Sequence, residues 1–115
     1  NNIDIKLARK KAFKYLEKFN LTQLHNKYPG NISSGECQRI AILRALMNNP
    51  KIVVADEPTS NLDEDNAQMI IKFILELNIK FKCIFIIASH DKRFLNISQN
   101  NFKLSNKKLS KFYHE

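Results

Sequence analysis

The chain has 115 residues, 43% of them hydrophobic, with 19 Lys+Arg against 11 Asp+Glu and a formal charge of +8. That length gives one domain rather than two, with a modest core. Two cysteines with no CxxC spacing, Cys37 and Cys83, argue against a disulfide framework or a zinc finger and favour a reducing cytosol. No apolar run approaches the ~20 residues of a membrane-spanning helix. The basic excess suits solvated lysine faces, or attraction to nucleic acid, nucleotide phosphates or an anionic membrane surface. No five basic residues are consecutive, which weakens a dedicated nucleic-acid patch.

Residues Ile3 to Asn20 read as an amphipathic helix, with Leu7, Ala8, Ala12, Tyr15, Leu16 and Phe19 at three- and four-residue steps. Leu21 to Gly30 is a connector closed by Pro29-Gly30. A small hydroxyl-bearing loop, Ile32-Ser33-Ser34-Gly35, then enters a second helix, with Ser33 or Ser34 as N-cap. Ile40, Leu43, Ala45, Leu46 and Met47 are its expected apolar stripe. A helix N-terminus offers free N–H groups and partial positive charge, so this one suits either phosphate or an ordinary cap. Asn48-Asn49-Pro50 ends it.

Ile52, Val53, Val54 and Ala55 follow without alternation, the pattern of a strand buried on both faces of a parallel sheet. Asp56 and Glu57 end this run and Pro58 forbids its continuation. Open α/β sheets bind ligands at that end of their strands. One acid there can hold a metal ion through its waters, and its neighbour can act as general base. Glu64 to Asn78 is a third helix, acidic in its first turn, with Met69, Ile70, Phe73, Ile74 and Leu77 expected inside. Cys83 to Ala88 is a second apolar run, read as a parallel strand reached by a right-handed crossover. It ends in Ser89-His90-Asp91, which places His90 beside the acids of the first strand. A short helical turn follows at Asp91 to Leu95. Phe102-Lys103-Leu104 and Lys108-Leu109 flank a hairpin turn, and the last residues are polar ends.

Together these residues closely resemble the carboxyl-terminal half of an ABC-transporter ATPase domain, from about Ile3 to Leu109. Ile32-Ser33-Ser34-Gly35-Glu36, followed by Gln38-Arg39, resembles the signature loop. Ile52 to Asp56 with Glu57 resembles the Walker B strand and its catalytic glutamate. Ser60-Asn61-Leu62-Asp63 resembles the D-loop, and His90 the switch histidine. The four occur in the family's order and spacing. The wording from Ala55 to Asp63 resembles the subgroup serving lipoprotein release, macrolide efflux and antimicrobial-peptide export.

The resemblance implies an α/β, partial P-loop NTPase fold of the ABC ATPase type. Its parallel strands carry flanking helices and part of the helical subdomain, and the Walker A half is missing. Residues 1–48 would be helical subdomain and signature helix, and 49–115 the Walker B, D-loop and switch-histidine part. It implies ATP and Mg²⁺: Asp56 would hold Mg²⁺ through water, Glu57 would polarise the attacking water, and His90 would sense the γ-phosphate. Ser33, Ser34, Gly35, Glu36 and Gln38 would face ATP on the opposite subunit of a head-to-tail dimer. Ser60 and Asp63 would cross that interface. The implied partners are a second ATPase subunit and a transmembrane permease at the cytoplasmic face of a membrane, with no direct nucleic-acid contact.

Several departures stand out. The spacing Gly30-x-x-x-x-Gly35 continues as Glu36-Cys37, not Lys-Ser/Thr, and an acid there repels phosphate, so this is no P-loop. The family's adenine-stacking aromatic and Mg²⁺-reaching glutamine would lie upstream of Asn1. Ser34 stands where the signature loop usually has glycine, and Cys37 where glutamine is common. The chain therefore reads as a fragment, expected to bind ATP poorly by itself. Two alternatives are an inactive partner offering its signature loop in trans and a soluble ABC ATPase acting on nucleic acid.

Overall fold

The computed structural model describes residues 4–113; the expected helix start at Ile3 and the final polar residues 114–115 lie outside them. Helix α1 (Ile5–Lys18) begins at Asp4, whose carboxylate accepts the Lys6 N–H. It leads through a 3₁₀ turn (Thr22–Leu24) to a second such turn, Pro29–Asn31. Helix α2 (Ser34–Leu46) precedes strand β1 (Ile52–Asp56), and α3 (Glu64–Phe81) crosses over to strand β2 (Ile84–Ala88). A 3₁₀ turn (Lys92–Asn96) and a hairpin of β3 (Asn101–Ser105) and β4 (Lys108–Phe112) complete the order.

β1 and β2 pair in parallel, Ile52 beside Ile84 through Asp56 beside Ala88. Both polar strand ends therefore lie at one end of the sheet. The hairpin turns on Asn106 and Lys107, both at positive φ (48° and 61°), the backbone that a two-residue type I′ loop requires.

The core lies between α2, α3 and the covered face of the sheet. Leu21, Leu46, Ile70, Leu77, Pro58 and Cys83 are its fully buried residues. Phe19, just past α1, meets the edge of Phe73 at 5.3 Å between ring centroids and anchors that helix.

Several expected faces are corrected here. Leu7 is exposed, and α1 itself buries no residue; it rests on the core through partly buried Tyr15 and Leu16. In α2 the buried face is Ile42, Leu43 and Leu46, with Ala45 outside. In α3 Met69 is exposed, and Ala67 and Ile71 are inside. The two strands are not covered on both faces. Val53 is buried, but Ile52, Val54, Ile84 and Ile86 form an open apolar face, with Val54 73% exposed. The only partner of each strand in its sheet is the other, so each keeps an unpaired edge among the described residues. The radius of gyration, 15.9 Å, exceeds the roughly 13 Å of a compact domain this long.

Candidate active site at the strand ends

Glu57 follows β1 directly, and its N–H continues the ladder to the Ala88 carbonyl at 2.8 Å. Its φ is 46°, the left-handed region that a non-glycine residue enters only at a cost of order 1–3 kcal/mol. Pro58, fully buried, then turns the chain away from the sheet. The Ser60 N–H and hydroxyl both donate to the Glu57 carbonyl, at 3.0 and 2.9 Å. The turn thus aims the Glu57 side chain across to the tip of β2. There Oε2 accepts from the Ser89 hydroxyl and Oε1 from the His90 N–H, both at 3.1 Å. The His90 ring is fully solvent-exposed, with Nε2 3.7 Å from Glu57 Oε1. Parallel pairing thus brings Glu57 and His90 together, as expected from the two apolar runs.

Asp56 is exposed beside them, and its carboxylate accepts no hydrogen bond among the described residues. Asp56 and Gln38 share the lining of a cavity of about 160 Å³ between α2 and β1, with Ala41, Ala45 and Val54. Small-molecule sites run about 300–1,000 Å³, so a nucleotide needs further walls.

The loop before α2 is held by a reciprocal cap. The Glu36 N–H donates to Ser33 Oγ at 3.2 Å, and the Ser33 N–H donates to the Glu36 carboxylate at 2.9 Å. That N–H holds the Glu36 carboxyl below its ordinary range. The first-turn N–H groups of Ser34 and Gly35 have no intrahelical partner. Gly35 is required by close approach: a Cβ there would stand 2.6 Å from Asn66 Oδ1. Asn66 is itself pinned, because its N–H and side-chain amide both donate to Asp63, at 2.9 and 2.7 Å. Those bonds lower the Asp63 pKa. Asn66 thus joins Gly35 to Asp63, two expected site residues 28 positions apart in the sequence.

Asp91 is the most heavily bonded side chain nearby. Arg93 donates to it from its backbone N–H, Nε and Nη2, and Thr59 donates its hydroxyl at 2.8 Å. These donors, Arg93 foremost, hold its pKa at about 2, below the usual 3.8. A carboxyl lowered in the folded state stabilises fully above its unfolded pKa and loses that contribution as pH falls through the folded one. Wild-type unfolding free energy should therefore drop by about 1–2 kcal/mol between pH 4 and pH 2 on this account. Urea titrations of Asp91→Asn should lack that step.

Ser89 and Asp91 were legible in the sequence only as polar residues at a strand end, and Thr59 and Asn66 not at all. Asp91, two residues before Arg93 at the start of a turn, carried a local capping signal; the partnerships across the fold left none.

The chain matches the ABC transporter family over residues 3–60. It belongs to that family. The lipoprotein-releasing system ATP-binding protein LolD of Buchnera aphidicola subsp. Schizaphis graminum is 44% identical over 105 residues, 91% of this chain and 46% of the relative. The chain spans about half the length of the curated relatives it matches. A nucleotide-free ATP-binding cassette from an ABC transporter superposes with a TM-score of 0.87 at 31% identity, over 97% of this chain and 45% of that one. A dimeric, post-hydrolysis cassette bound to ADP and Pi superposes over 100% of this chain and 51% of that one, with a TM-score of 0.74 at 28% identity. The family's α/β cassette fold accounts for the parallel β1–α3–β2 unit and the adjoining helices. No described helix is long and apolar enough to cross a membrane.

Proposed function

We propose that these residues form the hydrolytic, γ-phosphate end of an ATP site in an ABC-transporter ATPase. The observation that carries this reading is the Glu57 carboxylate held at the β2 tip by Ser89 and His90, within 3.7 Å of the His90 ring. Glu57 takes a proton from the attacking water and His90 meets the γ-phosphate. Such chemistry needs positioning and charge stabilisation more than covalent participation.

The residues present suit Mg²⁺. Asp56 is a single exposed carboxylate, and Mg²⁺ usually binds one or two carboxylates, substrate phosphates and water. Among the described residues no cluster of three His, Cys, Asp or Glu forms a protein cage. Bound there, Mg²⁺ would neutralise phosphate charge.

The α2 N-terminus serves the neighbouring subunit of a head-to-tail dimer. The Ser33 hydroxyl, Ser34 and Gly35 donate to that subunit's ATP, beside Glu36 and Gln38, while Ser60 and Asp63 cross the interface. The Ser33 oxygen accepts the cap bond, and a hydroxyl that accepts can also donate through its O–H. The dimeric cassette bound to ADP and Pi, among the similar structures, supports this arrangement. The relatives' lipoprotein-releasing role favours a permease partner at the cytoplasmic membrane face, with lipoprotein export as the class of work.

ATP turnover should be measured on the 115 residues alone and on the same residues completed by the amino-terminal half of the Buchnera relative. The completed protein should hydrolyse ATP with Mg²⁺, and the 115 residues alone should not. Millimolar or tighter ATP binding by the 115 residues in calorimetry would overturn the division of labour; an inert completed protein would overturn the function.

A further inference from the structure

Loop 57–63 carries two non-glycine residues in left-handed backbone, Glu57 at 46° and Asn61 at 60°, so its shape needs outside support. That support comes from the far side of β2. Asp91 Oδ2 accepts the Thr59 hydroxyl at 2.8 Å, and Thr59 is only 7% exposed. The Asp91 N–H donates to Ser89 Oγ at 3.1 Å, and the Ser89 hydroxyl donates to Glu57. Arg93, forked onto Asp91, reaches Glu64 at the start of α3 with Nη1 at 2.6 Å from Oε1. Asp91 therefore contacts the middle of the loop directly at Thr59, its beginning through Ser89, and the start of α3 just past its end through Arg93. Capping the turn at Lys92–Asn96 uses only Oδ1, through the Arg93 N–H. The Oδ2–Thr59 bond exceeds what that cap requires.

We propose that Asp91 is a positioning residue that latches loop 57–63 to the tip of β2 through Thr59 and Ser89, so that Glu57 and the segment proposed to cross the dimer interface hold one geometry. This rests on the hydrolytic role proposed for Glu57. Asp91 itself touches no reacting atom; it acts by keeping the base and the interface loop in register.

Thr59→Val removes the hydroxyl and keeps the side chain's size, while Thr59→Ser restores the donor. Hydrogen exchange on the full 115-residue chain should show the Ser60 amide opening about tenfold faster in Thr59→Val, the loss expected for a hydrogen bond to a charged acceptor. The Ile70 and Leu77 amides of α3 should stay within about twofold of wild type. Thr59→Ser should return Ser60 to near the wild-type rate. Asp91→Ala is the second variant and should act on Ser60 in the same direction. In the completed ATPase, Thr59→Val should lower kcat about tenfold with KM for ATP little changed, the split of a lost transition-state arrangement. Two results would overturn the latch: an unchanged Ser60 amide in both Thr59→Val and Asp91→Ala, or equal acceleration throughout α3. A wild-type completed protein without ATPase activity would instead sink the hydrolytic reading, and the exchange experiment would still decide the latch.

Discussion

Glu57→Gln in the completed ATPase should cut ATP turnover by a factor on the order of 10²–10⁴, the usual contribution of a positioned general base. The substitution keeps length and shape; the glutamine oxygen can still accept from the His90 N–H while its amide N–H donates to the Ser89 hydroxyl, and the negative charge and proton affinity are removed. Glutamine has no more difficulty than glutamate at a φ of 46°, so the backbone contribution nearly cancels. The loss is therefore chemical. ATP should still bind, and the protein should accumulate as an ATP-bound dimer, visible as a doubled mass in size-exclusion chromatography with light scattering. Unchanged turnover would remove Glu57 from the role of base.

The second large effect concerns the core. Leu77→Ala should destabilise the chain by about 2–5 kcal/mol, because Leu77 is fully buried and its loss leaves a cavity that α3 cannot close. Met69→Ala on the same helix should change stability by no more than about 0.5 kcal/mol, since Met69 is 46% exposed. Native proteins hold only about 5–15 kcal/mol in all, so Leu77→Ala brings a domain with this modest core near unfolding. Urea midpoints of the two variants measure the rotation of α3. Equal losses would place Met69 inside, as periodicity alone had it.

That pair also marks how far the sequence could be read. Helix and strand positions were legible, because Pro50 and Pro58 bracket β1, and the hydroxyls of Ser33 and Ser34 announce the start of α2, with Ser33 proving to be the cap. The faces were less so. Apolar residues surround α3 on more than one side, so counting at three and four could not choose between Met69 and Ile71. The unalternating Ile52–Ala55 run promised cover on both sides of β1, and the described residues supply it on one. Within the candidate site, Asp56, Glu57 and His90 were visible from their places at two strand ends. Thr59, Ser89, Asp91 and Asn66 act through partners up to 32 residues away, and no local spacing encodes such meetings.

The open face of Ile52, Val54, Ile84 and Ile86 would set the terms on which these 115 residues persist when expressed alone. Such a surface is what holdase chaperones grip and what quality-control proteases sample once it goes unshielded. Expressed by themselves, the 115 residues would persist only as long as that face is sheltered, and a short half-life would follow from geometry without any defect in the core.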